Sequence, residues 1–335
     1  MSSICPILRC TLLSALALAG ATFVAPASAQ QPSAQPVPWR HGVLEAKSDA
    51  GFVFMPSKGG FAEKQGLKVE MLQFKGDALA LKALIAGDLD TYEGSPGGPM
   101  LAASNGADIK LLGCYWPLLT YGIFSKANIA SAQELKGKVM AISSPGALPD
   151  LLARAVLEKN DIPSSEVRFA IMGSDADRFR AVMAGVVDAA AASTEFVPIA
   201  PSSVKLLVHA HDAVPNYVRL CLYASGKTIT QRRDQLVRFL AAQMAGVRHA
   251  LNNRDDAIRL AKEMTEAKPD DPRAAYIYDE VIKYKAIDPA MPIPMDKLAW
   301  MKDLLTRTGN LTKPLDLARM TDGGPRAKAL TLVGK

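Results

Sequence analysis

The sequence predicts an α/β protein made of two similar halves. Its 335 residues are more than one hydrophobic core usually holds, so two packed units are expected. Short apolar runs alternate with segments of helical period from Trp39 onward, which is typical of parallel sheets covered by helices. The alternation restarts after a connector at Ile129–Gly137, and this restart predicts a second sheet.

Residues 1–29 have the pattern of a secretory signal peptide. Arg9 precedes an apolar run, Thr11–Val24, of about 14 residues, shorter than the roughly 20 that span a bilayer. The small residues of Ala27-Ser28-Ala29 suit signal peptidase, so we predict cleavage after Ala29 and a periplasmic mature protein. The alternative is a buried or anchoring N-terminal helix.

Charge and cysteine content bound the function further. The net charge of +6 is spread along the chain without a long basic run or a nucleic-acid motif, so no nucleic-acid partner is expected. Cys114 and Cys221 remain after signal cleavage, in a compartment where a disulfide can form. Both lie in apolar, strand-like runs where buried free thiols also occur, and the sequence leaves the two states open.

The first half is predicted to run strand, helix, strand in order, with Gly87 and Gly106 ending two of its helices. The expected strands are Trp39–Leu44, Lys68–Phe74, Leu89–Tyr92 and Ile109–Tyr115, and the expected helices are Phe52–Gln65 (interrupted at Pro56), Ala78–Ala86 and Pro99–Asn105.

The second half repeats this order and is followed by a helical layer. Pro149 is well placed in the first turn of a helix. The expected strands are Val139–Ser143, Val167–Ile171, Val186–Ala190, Val204–Val208 and Tyr217–Ala224, and the expected helices are Pro149–Lys159, Asp177–Ala184, Gln231–Asn252, Asp255–Thr265, Pro272–Tyr284 and Met295–Thr306.

An internal repeat supports the restart. Ala83–Asp90 and Ala181–Asp188 align at one fixed offset, and each reads as a helix, a Gly stop and a strand. We expect Asp90 and Asp188 to close their strands near the end where ligands bind. Chance similarity among common Ala, Gly and Asp residues is the alternative.

The order of several motifs resembles the periplasmic substrate-binding proteins of ABC importers, in the nitrate, sulfonate and thiamine-precursor branch. These motifs are Gly51–Phe61, the EKQGLKVE of Glu63–Glu70, the AGDLD of Ala86–Asp90 and the ELKGKV of Glu134–Val139. Pro56 departs from the small residue usual inside the first helix, which leaves the start of that helix in doubt.

The resemblance implies a two-lobed periplasmic binding protein fold of type II, with two parallel-rich sheets, two crossing segments and a helical C-terminal layer. The first lobe would be residues 39–125 plus 217–335, and the second lobe residues 126–216. The crossings would lie near Tyr121–Lys126 and Asn216–Ser225.

The resemblance also implies a function without catalysis, cofactor or metal. The protein would capture a small organic solute, such as a sulfonate, a pyrimidine or thiamine precursor, nitrate or an aromatic acid, by hinge closure. It would then dock transiently, as a monomer, on an ABC permease in the inner membrane. Two alternatives stay open: a pyrimidine-synthase-like enzyme on the same fold, and a ligand-sensing partner of a membrane receptor.

Ligands of open α/β sheets bind beyond the carboxyl ends of strands, so the loops after strands supply the candidate ligand-binding residues. They are Ser48, Asp49, Tyr92, Glu93, Gly94, Ser95, Ser143, Ser144, Gly146, Ala147, Arg178, Ser193 and Glu195.

These candidates point to different ligand chemistries. Glu93 and Glu195 fall on opposite lobes and would favour a cationic or hydrogen-bond-donating ligand, unless they are surface carboxylates. The loop Ser143–Ala147 opens a helix and would suit an anion, unless it only caps that helix. Arg178 would meet an acidic ligand, or be solvated.

Other aromatic and imidazole groups are weaker candidates. Tyr115 and Trp116 offer flat faces to an aromatic ligand, although packing against the sheet is the favoured interpretation. His209 and His211 form at most a partial metal site, because no third ligand follows at a suitable spacing, and we expect surface histidines.

Overall fold

A computed structural model describes residues 35–334, and the predicted signal peptide with its cleavage site lies outside the described residues. The part of the chain described contains ten strands: β1 Val37–Leu44, β2 Leu67–Phe74, β3 Thr91–Gly94, β4 Ile109–Trp116, β5 Tyr121–Lys126, β6 Val139–Ile142, β7 Arg168–Ile171, β8 Ala189–Ser193, β9 Val204–His209 and β10 Leu220–Ser225.

The helices cover the faces of the sheets and make up most of the chain after residue 225. They are α1 Ala50–Val53, α2 Met55–Lys58, α3 Phe61–Lys64, α4 Asp77–Ala86, α5 Gly97–Ser104, α6 Leu148–Lys159, α7 Asp175–Met183, α8 Ala210–Ala213, α9 Gly226–Gln231, α10 Arg233–Asn252, α11 Arg254–Met264, α12 Arg273–Tyr284, α13 Met295–Arg307, α14 Leu317–Met320 and α15 Gly324–Leu332. Three 3₁₀ segments, Ala132–Leu135, Ser164–Glu166 and Thr194–Ile199, complete the description.

The strands form two five-stranded sheets of the same design. The first has the order β2-β1-β3-β10-β4 and the second the order β7-β6-β8-β5-β9. In each sheet the first three strands are parallel, and an antiparallel strand lies between the third and the last. The inserted strand is in each case the one that follows a crossing from the other lobe, so each crossing ends inside the sheet it enters.

The position of β5 corrects the predicted lobe boundary. Tyr121–Lys126 was expected as a crossing at the edge of the first lobe, but it pairs with β8 and β9 in the second sheet. The first five residues of β5 are buried, so both faces of the strand are covered. This is typical of an interior strand and is not required of a crossing segment. The chain changes sheets at residues 117–120, and it returns before β10, so most of the predicted crossing at Asn216–Ser225 is also strand.

The internal repeat is present in the structure, with one correction. Gly87 and Gly185 have φ values of 86° and 74°, and each follows a helix and precedes the third strand of its sheet. Asp90 and Asp188, however, precede their strands at the end away from the cleft. Each carboxylate accepts a backbone N–H of the neighbouring strand, from Arg40 at 2.8 Å and from Val139 at 3.0 Å.

The segment around Pro56 avoids the cost of an interior proline by breaking into three short helices. Pro56 lies in the first turn of α2, where its missing N–H costs no intrahelical hydrogen bond. The segment packs closely against the C-terminal helices, since a Cβ on Gly51 would lie 2.0 Å from the carbonyl oxygen of Ala257 in α11.

Each lobe contains its own cluster of packed aromatic side chains. In the first lobe, Phe52 packs edge-on to Trp116 and stacks on Tyr278 of α12, which joins the sheet to the helical layer. In the second lobe, Phe179 contacts both Phe124 and Phe196. These buried rings give each lobe an aromatic core of its own.

A disulfide joins the strands next to the two crossings. Cys114 of β4 and Cys221 of β10 are bonded, with their Cα atoms 3.9 Å apart and a sequence separation of 107. The sequence left this pairing open, because the two residues become neighbours only when β10 inserts beside β4.

Candidate functional site

A cleft of about 690 Å³ lies between the lobes. It is bordered by the segments that follow β1, β2, β3, β6, β7 and β8, at the carboxyl ends of these strands. Nonpolar side chains also line it, among them Phe54, Phe74, Leu148 and Phe196. The cleft can therefore hold a small molecule with both polar and apolar parts.

The loop after β1 reaches across the cleft to the second lobe. Lys47 Nζ donates to Asp175 Oδ2 at 2.8 Å and to the Tyr121 hydroxyl at 2.7 Å. The backbone N–H of Ser48 donates to Glu195 Oε2 at 2.9 Å. These contacts hold the two lobes together over one end of the cleft.

The charges of Lys47 and Asp175 stabilise each other. Burial is the largest single effect and disfavours the charge on each, but the neighbouring groups together outweigh it in both cases. Asp175 and Tyr121 hold the pKa of Lys47 above its usual value, and Lys47 and Arg178 hold the pKa of Asp175 below its usual range. Both groups are therefore ionised at neutral pH.

Arg219 and Asp49 form a second ion pair, beside the crossing segment. The guanidinium bonds to the Asp49 carboxylate, donates to Thr120 Oγ1 at 3.2 Å and lies 3.8 Å from the Trp116 ring centroid. Despite burial, Arg219 and Lys47 hold the pKa of Asp49 below its usual value. The pair joins the first strand's loop to residues that immediately flank the crossings.

Glu93 lines the cleft as a buried carboxylate beside His41 and Tyr115. Its side chain is almost fully buried, and Oε2 has no hydrogen-bond partner among residues 35–334. The nearest cationic candidate is His41, whose Nε2 is 3.6 Å from Oε2 and also lacks a hydrogen-bond partner within that range.

Glu195, on the opposite lobe, is 4% exposed. Burial raises the pKa of its carboxyl, and neighbouring Lys47 and the Ser48 hydrogen bond offset only part of that effect. Arg273 also lines the cleft, but its guanidinium is bound to Asp271 at 2.7 Å.

The loop Ser143–Ala147, called the serine loop below, is partly engaged by a side chain of the helix that follows it. Ser143, Ser144 and Ala147 line the cleft, as expected from the sequence. The N–H of Gly146, however, donates to Asp150 Oδ2 at 2.8 Å, and Asp150 is fully buried in the first turn of α6. A carboxylate therefore already lies at this helix N-terminus, where an anionic ligand would otherwise bind.

The structure brings most of the predicted site residues to one cleft. Those that line it are Ser48, Asp49, Glu93, Ser95, Ser143, Ser144, Ala147, Arg178 and Glu195, and those that do not are Tyr92, Gly94, Gly146 and Ser193.

Tyr92 and Gly94 lie on the face of β3 that is turned away from the cleft. Side chains alternate along a strand, and Glu93 between them faces the cleft. Tyr92 is fully buried, stacks on Tyr223 and donates its hydroxyl to Asp77. Ser193 is buried as well and accepts the Glu195 N–H.

Arg178 lines the cleft but is neither solvated nor free for a ligand. It is 2% exposed, and its guanidinium donates to the Ala191 carbonyl at 2.8 Å, to the Gly173 carbonyl and to Asp175. Tyr115 and Trp116 are packed in the core of the first lobe, as the favoured interpretation predicted.

Several cleft residues were missed by sequence reasoning. Lys47, Asp77, Tyr121, Asp175 and Arg219 all line it. The internal repeat contained a usable signal, since Asp77 and Asp175 begin the two repeat-related helices α4 and α7 and both face the cleft.

The two histidines are not free on the surface, which corrects the expectation. His209 Nε2 lies 2.7 Å from Glu280 Oε1 of α12, and both imidazoles pack against Tyr284. Burial and the neighbouring His209 lower the pKa of His211. Within residues 35–334, no group of three or more His, Cys, Asp or Glu side chains is arranged to hold a metal ion.

No helix in the described range is both long and apolar enough to cross a bilayer.

Comparison with known proteins places this geometry in context. A family model described as NMT1/THI5 like matches residues 48–257, more than half of the chain. No curated protein sequence matches it.

Solved structures share the fold. The periplasmic aliphatic sulphonate binding protein SsuA from Escherichia coli is 18% identical, with a TM-score of 0.70 over 85% of this chain and 97% of that one. The alkanesulfonate-binding protein SsuA from Xanthomonas axonopodis pv. citri, bound to MOPS, is 18% identical, with a TM-score of 0.72 over 87% and 99%. The two-lobed α/β fold of periplasmic binding proteins, expected from the sequence, is confirmed.

Proposed function

The chain belongs to the NMT1/THI5-like family, and we propose that it is the periplasmic solute-binding component of an ABC importer. It captures a small organic solute between its lobes, closes on it as a hinge and delivers it to a permease in the inner membrane. It acts as a monomer, is exported through a signal peptide cleaved after Ala29, and releases its ligand unchanged.

One observation carries the proposal: polar groups from both lobes meet around one cleft. The Lys47–Asp175 ion pair and the Ser48–Glu195 hydrogen bond both join the lobes beside a space for a small molecule. The two short crossings can act as a hinge between the lobes. Rotation about them would break these contacts and expose the cleft. A solute that contacts both lobes would favour the closed state.

The similar structures support the same role, since those named above are periplasmic binding proteins. A pyrimidine-synthase-like enzyme or a receptor partner would use the same cleft differently. An enzyme would release a changed compound, and a receptor partner would alter signalling without supporting uptake.

The test begins with a thermal-shift screen of sulfonates, nitrate, pyrimidines, aromatic acids, amides and organic amines. Each compound that raises the unfolding temperature is then added during small-angle X-ray scattering. We expect a smaller radius of gyration, recovery of the compound unchanged by mass spectrometry, and loss of its uptake when the gene is deleted. A chemically altered compound, or uptake unaffected by the deletion, would overturn the proposal.

A further inference from the structure

Four of the five cations that line the cleft are already bound to carboxylates of the protein. Lys47 and Arg178 both bond to Asp175, Arg219 bonds to Asp49, and Arg273 bonds to Asp271. Lys75 is the remaining cation of the cleft, and it is exposed at the rim. Apart from Lys75, an anionic ligand would gain a charged partner only by competing with one of these carboxylates.

The carboxyl groups show the opposite balance. Glu93 and Glu195 are both more than nine-tenths buried, line the cleft from opposite lobes and have no Lys or Arg within ion-pair distance among the described residues. Oε2 of Glu93 has no hydrogen-bond partner within residues 35–334. That oxygen lies 3.6 Å from Nε2 of the buried His41, and a cationic ligand in the cleft would add a charge-assisted partner to the same carboxylate.

The site that most resembles an anion-binding feature is blocked. The N-terminus of α6 faces the serine loop, but the buried Asp150 carboxylate accepts the Gly146 N–H there. The carboxylate, which is paired with Arg154 Nε at 2.7 Å, occupies the position at the helix N-terminus where a sulfonate or nitrate would otherwise bind. The loop therefore offers its Ser143 and Ser144 side chains rather than a positive field.

We infer that the cleft takes a small organic cation, a protonated amine or amidine on an apolar or aromatic body, with its nitrogen donating to Glu93, Glu195 or both. Phe74 and Phe196 line the same space and would contact the apolar body. The inference rests on the proposed function and specifies the ligand class of the same site. It separates this chain from the sulfonate-binding proteins that share its fold.

The test uses four probes of matched shape: benzamidine, benzylamine, benzyl alcohol and benzenesulfonate. Titration calorimetry on the wild-type protein should show binding of the two cations and at least tenfold weaker binding of the alcohol and the sulfonate. Glu93→Gln and Glu195→Gln keep the side-chain shape, and at least one should weaken cation binding by roughly ten- to a hundredfold.

Glu70→Gln is the matched control, because Glu70 is exposed on β2 and does not line the cleft. The unfolding temperature of each ligand-free variant shows that it is folded. Equal or tighter binding of benzenesulfonate, no binding of either cation, or cation affinity unchanged in both cleft variants would overturn the inference.

Failure of the ligand class remains distinct from failure of the function. If the lobes close on a neutral or anionic compound from the wider screen, the cation inference is wrong and the solute-binding function stands. If no compound of the screen binds in the cleft, both are wrong.

Discussion

Lys47 and Asp175 are joined across the cleft by an ion pair, Nζ to Oδ2 at 2.8 Å, although 128 residues separate them in the sequence. Asp175 also receives the Tyr121 hydroxyl and Arg178, so one carboxylate holds three donors from three parts of the chain. The pair is therefore both a contact between lobes and part of the cleft's surface.

This pair predicts a specific pH dependence of stability. The pKa of Asp175 is below its unfolded value of about 3.9, so its contribution is present above that pH and is lost as pH falls through the folded pKa. The pKa of Lys47 is above its unfolded value of about 10.4, so its contribution is present below that pH and is lost as pH rises further. Urea denaturation should show a plateau between these limits.

Asp175→Asn tests the assignment. It leaves Lys47 and Arg178 without their carboxylate, so we expect the free energy of unfolding at pH 7 to fall by about 3 kcal/mol. The variant should also lose less stability than the wild type between about pH 4 and pH 2. Parallel acid denaturation of the two proteins would contradict the role of Asp175.

Gly97→Ala should hinder closure without harming the first lobe. A Cβ on Gly97 would lie 2.6 Å from the carbonyl oxygen of Gly146, on the other lobe. The neighbouring Gly98 is the matched control, because its Cβ would meet only Leu81, at an ordinary 3.5 Å. Both changes add a good helix former to α5, so neither lowers its intrinsic helix stability.

We therefore expect Gly97→Ala to weaken ligand affinity by about tenfold and to enlarge the ligand-bound radius of gyration, while Gly98→Ala changes neither. Calorimetry and small-angle scattering measure the two effects. Equal affinity in the two variants would show that the lobes need not approach at Gly97.

Glu195→Gln should make the ligand-free protein more stable. Burial raises the pKa of Glu195, which means that its ionised form destabilises the folded state. The amide can still accept the Ser48 N–H, so we expect the free energy of unfolding to rise by about 1 kcal/mol at pH 7.

The gain should vanish in acid, because the wild-type carboxyl is protonated in both states below its unfolded pKa of about 4.3. Chemical denaturation at pH 7 and pH 3.5 measures the difference. A loss of stability at pH 7 would mean that Glu195 is held mainly for structure rather than for a ligand.

Removal of the disulfide should lower the free energy of unfolding and leave ligand binding in the cleft intact. Cys114→Ala with Cys221→Ala frees a loop of 107 residues, and we expect the free energy of unfolding to fall by about 2–5 kcal/mol. Reduction of the wild-type protein should give a similar decrease in urea denaturation. Ligand affinity should stay within a few-fold, because neither cysteine lines the cleft.

Local patterns were enough to predict most elements of the fold. The helix, Gly stop and strand of each repeat were predicted from Gly87 and Gly185, whose positive φ values end the helices. The strand β5 was missed because a short apolar run beside a crossing carries no local sign of the sheet it joins. The helices α14 and α15 were also missed, because α14 is only four residues long and α15 begins with Gly-Pro and has little helical periodicity.

The candidate site was only partly predictable for a different reason. The loops after strands identified Glu93 and Glu195, but their chemistry depends on what surrounds them. The pairing of Arg219 with Asp49, 170 residues earlier, appears only when the chain has folded. Strand alternation would have excluded Tyr92, since it neighbours Glu93 on the same strand.

The inserted strands also determine the order in which a newly made chain can complete its lobes. All five strands of the second sheet lie in one continuous stretch, β5 to β9, whereas the first sheet needs β10 to fill the gap between β3 and β4. As the chain emerges from its amino end, the second lobe has every strand available while Cys114 still awaits Cys221. The first lobe is therefore the first to begin and the last to finish.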